Sequence, residues 1–154
     1  MARRPERQRS HVFVVRDGLI LVLQQSASER WWELPGGEAE AGEDSAAAAV
    51  REVFEETGFQ LVRPELLRVW SYPSRSTGAD VACYAYVAEA PAGDLRLSSE
   101  HSAYSWMTVD DYVEAYCSER LGETLPQFRV FFGELRHNCD LFRAWIRGQP
   151  RPTA

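Results

Sequence analysis

The sequence predicts an α/β protein in which a mixed β-sheet lies between layers of helix, and three observations carry that expectation. Short apolar runs separated by turn residues recur through the first two thirds of the chain; a helix with acidic and capping residues at its start interrupts them after Glu43; and apolar residues at helical spacing fill 126–147. Strands interrupted by one helix and followed by others suit a sheet covered on both faces, an α/β/α sandwich. The 154 residues, 45% of them hydrophobic, suffice for one domain with a substantial core, placed at residues 11–149.

Residues 1–10 carry Arg3, Arg4, Arg7 and Arg9 with almost nothing apolar, and are expected to be a disordered basic arm. The apolar runs 11–15 and 19–25 meet at Asp17-Gly18, a hairpin signal. A short strand over 31–34 feeds the glycine pair Gly36-Gly37, whose backbone can approach a ligand closely. Further strands are expected over 66–72 and 81–89, joined by a polar and mobile loop, and a last strand over 104–107. Thr108, with Asp111 three residues on, opens a helix that runs to about Cys117. From 126 to 147, Phe128, Phe131, Phe132, Leu135, Cys139, Phe142 and Ile146 recur at helical spacing up to Gly148. That stripe belongs to a long helix packing on the sheet, with a homodimer contact as the sharper alternative; residues 150–154 are read as a frayed tail.

The helix after Glu43 holds the feature that folding alone does not explain. Asp44 and Ser45 are capping residues, four alanines follow, and Gly58 stands where a left-handed C-terminal cap falls. Ala46, Val50, Val53 and Thr57 share the face expected to enter the core, with Ala49 and Phe54 at its margins. Glu52, Glu55 and Glu56 lie together on another face, expected to converge on solvent. Like charges one turn apart repel, and the negative end of the helix dipole adds to the cost. Three carboxylates on a rigid helix suit a hard divalent cation, Mg²⁺ or Mn²⁺, the bland alternative being a solvated acidic face. Arg51, one turn before Glu55, could reach back to Glu43 and fix the loop between them.

Composition narrows the partners. A formal charge of −6 argues against general polyanion binding, so phosphorylated substrates would need local neutralisation by metal. All 17 basic residues are arginine, which we ascribe to genomic bias. Cys83, Cys117 and Cys139 form neither a Cys-x-x-Cys pair nor a zinc pattern, and are expected to be buried free thiols in a reducing cytoplasm. Nothing approaches a membrane span or a signal peptide.

Residues 37–59 present a glycine, a glutamate six positions on, then Arg51-Glu52, an aliphatic, Glu55-Glu56, Gly58 and an apolar residue. The segment resembles the signature of the Nudix hydrolases at every defined position, and Trp32 to Gly36 and Glu100-His101…Trp106 are also similar to that family. The resemblance implies metal-dependent hydrolysis of a pyrophosphate link in a nucleoside diphosphate joined to a further group. It implies that Glu52, Glu55 and Glu56 with the Gly36 carbonyl hold the metal, and that Gly37, Glu43, Arg51 and Gly58 shape the loop-helix-loop. Two candidates stand for the general base, Glu52 on the helix and Glu100 in a loop; His101 reads as a surface or structural histidine. Trp32, Trp70 and Tyr72 could stack on a nucleobase or simply fill the core, and Arg75 completes the candidate substrate contacts. Pro73 falls where ADP-ribose-type members carry a proline, but the Ser-Pro-Gly around it is absent, as are the zinc cysteines of NADH-type members. Nucleoside triphosphates, nucleotide sugars and dinucleoside polyphosphates stay open. A catalytically silent nucleotide sensor and an RNA-binding module using the arginine arm are the competing classes.

Overall fold

The computed structural model describes residues 7–28, 31–74 and 76–149. Its centre is a seven-stranded sheet in the order β3-β2-β1-β6-β5, with β4 added to β1 and β7 to β2. The strands are β1 (Arg7–Arg16), β2 (Leu19–Gln25), β3 (Trp32–Glu33), β4 (Gly36–Glu38), β5 (Glu65–Pro73), β6 (Asp80–Glu89) and β7 (His101–Met107). The sheet is mixed, because β1 pairs parallel with β6 while its partners β2 and β4 run antiparallel. Asp17 and Gly18 both take positive φ, 53° and 76°, which makes the tight hairpin between β1 and β2.

Alternation along β1 divides the core in two. Val12 and Val14 enter one cluster with Ala49 and Val53 of helix α1 (Ser45–Thr57). Phe13 and Val15 enter the other, with Tyr112 of α2 (Val109–Tyr116) and Phe132, Leu135, Cys139 and Phe142 of α4 (Arg129–Arg147). Phe13 stacks on Phe142 at 4.8 Å. The apolar stripe of α4 is thus spent on its own sheet. Helices lie on both faces, as the sequence predicts, and all three cysteines are buried and free. Among the described residues no helix is long and apolar enough to cross a membrane.

Several boundaries differ from expectation. The first strand starts at Arg7, so positions 7–10 of the expected arm are strand, paired in register to β6 and at Arg9 and Ser10 to β4. Backbone pairing holds that polar run, and it leaves no hydropathy signal. Met1 to Glu6, the frayed tail from Pro150 and Arg75 lie outside the described residues. The glycine pair is itself strand β4, and β7 begins at His101, ahead of the expected 104. The expected helix over 126–147 is a 3-10 turn at Pro126–Phe128 followed by α4, preceded by a short helix α3 (Glu119–Thr124) capped by Ser118.

Candidate functional site

Helix α1 carries the glutamates in a fixed frame. Asp44 accepts a hydrogen bond from the Ala47 amide at 2.7 Å, and Gly58 closes the far end at φ 75°, donating to the Phe54 carbonyl. The loop ahead of the helix is clamped by Arg51. Its Nε and Nη2 donate to the two Glu43 carboxylate oxygens at 2.8 and 2.9 Å, and Nη2 also reaches the Glu38 carbonyl at 3.1 Å. This fork, aided by the Glu40 amide, pulls the Glu43 carboxyl down to about 2. The remaining nitrogen, Nη1, bridges Glu52 at 3.1 Å and Glu55 at 3.2 Å. The brace expected between Arg51 and Glu43 is therefore present, and it extends to two of the three glutamates.

The three carboxylates differ in setting. Glu55 is exposed. Glu52 is partly buried against Gly37, where an added Cβ would lie 2.5 Å from the Glu52 carboxyl carbon; burial raises its pKa against the pull of Arg51. Glu56 is only 3% exposed, and accepts a hydrogen bond from the Gly36 amide at 3.1 Å. Burial, with help from the charges of Glu52, Glu33 and Glu100, pushes its carboxyl up to about 9. The expectation that all three point to solvent fails at Glu56. The core face of α1 is rotated toward Ala48, Ala49, Val53 and Glu56, leaving Phe54 49% exposed. A helical wheel cannot show that rotation, because Gly36 of β4 and His101 of β7 cover the Glu56 side.

Glu33, which the sequence did not single out, and His101, which reads there as a surface or structural histidine, complete the cluster. His101, buried at the start of β7, puts Nε2 3.0 Å from Glu33 Oε1 and Nδ1 3.7 Å from Glu56 Oε2. Burial opposes ionisation of Glu33, but bonds from His101 and Gln25 outweigh it and hold the carboxyl below its usual value. With Nε2 engaged by Glu33, Nδ1 faces Glu56 without a hydrogen-bond partner. The only available cue was Glu33 lying between Trp32 and the Leu34-Pro35-Gly36 turn. Glu100 is exposed in the turn before β7, and its charge bears on both Glu52 and Glu56.

The aromatic candidates separate. Trp32 is partly buried and stacks on Tyr116 at 6.1 Å. Trp70 is buried between Tyr72 and Phe131, while Tyr72 is partly exposed. Arg75, the remaining substrate candidate, lies outside the described residues.

A model of the NUDIX domain family matches residues 5–128 of this chain. The chain belongs to that family. A MutT-like protein of Streptomyces ambofaciens is 35% identical over 112 residues, covering 73% of this chain and 66% of the relative. The asymmetrical bis(5′-nucleosyl)-tetraphosphatase of Rattus norvegicus is 30% identical, over 73% of this chain and 79% of its own length. The crystal structure of a MutT NUDIX hydrolase from Burkholderia pseudomallei superposes with a TM-score of 0.59 at 31% identity, covering 68% of this chain and 84% of the other. The alignments span 66% and 61% of the Streptomyces protein and of a Nudix hydrolase from Bacillus subtilis.

NUDIX hydrolases generally use divalent metal ions, and the residues present fit one. The donors are carboxylate and backbone oxygens, the hard set that Mg²⁺ and Mn²⁺ prefer. The missing Cβ of Gly37 leaves the Glu52 carboxylate its place, and Glu56 is a buried carboxyl that pairs with no arginine among the described residues. Among the described residues no three acidic, histidine or cysteine side chains already form a metal cage. Arg51 instead occupies the space between Glu52 and Glu55.

Proposed function

We propose that this chain hydrolyses a pyrophosphate bond in a nucleotide derivative and depends on Mg²⁺ or Mn²⁺. The observation that carries the reading is the Arg51-clamped loop, which sets Glu52 against Gly37 and Glu56 against the Gly36 amide at the end of one helix. Glu52, Glu55, Glu56 and the Gly36 carbonyl are the proposed ligands. The cation, when bound, supplies charge neutralisation for the phosphate oxygens and activation of water.

The chain's own residues do the rest. Glu52 is the proposed general base: it stands on a rigid helix, its pKa is raised by burial, and it needs no loop movement to face the attacking water. Glu56 gives up its proton when the site is loaded, a change eased by the Gly36 amide. Glu55, the exposed member, adjusts to the substrate. Glu100 faces the same cluster from the β7 side and orients rather than deprotonates. Arg51 holds the frame, and Tyr72 offers a partly exposed ring to a base.

Nucleoside triphosphates and dinucleoside polyphosphates are the substrates we favour, since the rat relative is named for a dinucleoside tetraphosphate. Three buried free thiols suit a reducing compartment, and we place the protein in the cytoplasm. A panel of nucleotides assayed with Mg²⁺, with Mn²⁺ and with excess chelator tests the reading. Turnover that requires the cation supports it. Absence of turnover on every nucleotide, or turnover unaffected by chelator, refutes it.

A further inference from the structure

Strand β1 carries three described arginines, and two of them have evident structural partners. Arg7 forks onto the Glu38 carboxylate at 2.6 and 2.9 Å, and Arg16 donates to the Pro91 and Gly93 carbonyls while lying over the Phe59 and Trp106 rings. Arg9 is different. Its Nε is buried with no hydrogen-bond partner, and among the described residues no carboxylate pairs with it. A guanidinium N–H removed from water without a partner costs free energy, so a fold keeps one only where something else repays it. Glu38, across the ladder from Arg9, is already committed to Arg7.

The register shows what surrounds this orphan. Arg9 is the Cα partner of Cys83 on β6, and Cys83 is the partner of Trp70 on β5, so the three side chains share one face of the sheet. One row along, Arg7, Val81 and Tyr72 repeat the order of cation, small residue and aromatic ring. Two strand spacings, about 10 Å, separate Arg9 from the aromatic pair. On its other side Arg9 pairs with Glu38, the residue after Gly37 on β4, and alternation turns its side chain to the Phe13 face of the sheet, away from α1. An unpaired cation therefore shares a sheet face with a partly exposed tyrosine, at a separation that a single nucleotide spans.

We propose that Arg9 receives a phosphate of the bound nucleotide, its Nε–H and an adjacent N–H forming the fork that phosphate oxygens match, with the base stacked on Tyr72. This rests on the nucleotide-hydrolase reading and adds the residue that selects a charged nucleotide over its nucleoside. Arg9→Met keeps an unbranched stem over Cys83 and removes the guanidinium.

Calorimetric titration without metal, using nucleoside 5′-monophosphates, the matching nucleosides and inorganic phosphate, tests the assignment. The wild type should bind a monophosphate about tenfold or more tightly than its nucleoside. In Arg9→Met that preference should fall to within about twofold, with nucleoside affinity unchanged. Inorganic phosphate should bind far more weakly than the monophosphate, since it lacks the stacked base. A wild type with no such preference, an Arg9→Met or Arg9→Gln protein that keeps it, or phosphate binding as well as the nucleotide would overturn the proposal. The metal-free Arg9→Met protein should melt at or above the wild type; a fall of more than about 5 °C, or failure to fold, would make Arg9 a structural residue and equally overturn it. Nucleotide turnover combined with a preference independent of Arg9 removes this inference alone. Arg9-dependent binding without turnover of any nucleotide removes the hydrolase reading alone.

Discussion

Replacing Glu56 with Gln should stabilise the metal-free protein, and by an amount that grows with pH. The carboxyl is 3% exposed and its pKa is pushed from the ordinary 4.5 up to about 9, chiefly by burial. A group whose pKa is raised by folding keeps its proton in the folded chain and loses it on unfolding. Its contribution is therefore fully present below about pH 4.5 and is lost as pH rises toward 9. Each pH unit in that window costs ~1.4 kcal/mol, so at pH 7 the wild type has lost of the order of 3 kcal/mol that a neutral Gln retains. For a domain of this size that is roughly 6–12 °C in melting temperature. Gln also keeps an oxygen for the Gly36 amide, so the comparison isolates the charge. Urea denaturation in chelator from pH 4.5 to 8.5 reads the effect: the two proteins should match at the acid end and diverge steadily above it. Parallel stability curves, separated by a constant amount, would show that Glu56 titrates normally and refute the reasoning.

Other expectations follow from the same geometry. Arg51→Ala should lower the melting temperature and weaken metal binding together, because one side chain ties Glu43, the Glu38 carbonyl, Glu52 and Glu55; normal stability with only a raised KM would make Arg51 a substrate contact. Glu43, with its pKa depressed to about 2, contributes stability above about pH 4.5 that disappears as pH falls through 2, and acid titration of Glu43→Gln against wild type should show that loss missing from the variant. Gly37→Ala should fold but lose activity, since only the end of the Glu52 side chain must move, whereas Gly36→Ala should fail to fold stably, its φ being 150° and its new Cβ overlapping the Ser10 carbonyl; circular dichroism and turnover of both proteins check the contrast. Glu52→Gln should reduce kcat by several orders of magnitude and Glu100→Gln by about tenfold or less, and a nearly inactive Glu100→Gln with normal Mg²⁺ binding would move the base to Glu100.

Much of this site could be read in the sequence because its parts are local. Asp44, Gly58 and the spacing of Glu52, Glu55 and Glu56 need only helix geometry, and the Arg51 to Glu43 clamp spans one loop. What escaped depends on strands meeting across the chain. His101 reads as a surface or structural histidine, and only the pairing of β7 with β2 shows it between Glu33 and Glu56. Glu56 looks solvent-facing on a helical wheel, and only the return of β4 along β1 encloses it. Strand positions Arg7 to Ser10 read as a loose arm because charge dominates them, yet backbone pairing to β6 and β4, with the Arg7–Glu38 pair, holds them. The α3 turn is too short and polar to leave a periodic signal.

The central claim is that the carboxylates at the end of α1 form a divalent-cation site, and Mn²⁺ binding followed by electron paramagnetic resonance in the absence of nucleotide tests it most directly. Wild type should bind Mn²⁺, Mg²⁺ should displace it, and affinity should rise as pH increases through the range in which Glu56 must lose its proton. Glu52→Gln and Glu56→Gln should each weaken binding by about tenfold or more. Mn²⁺ held equally tightly by wild type and both variants would place the cation elsewhere and contradict the account.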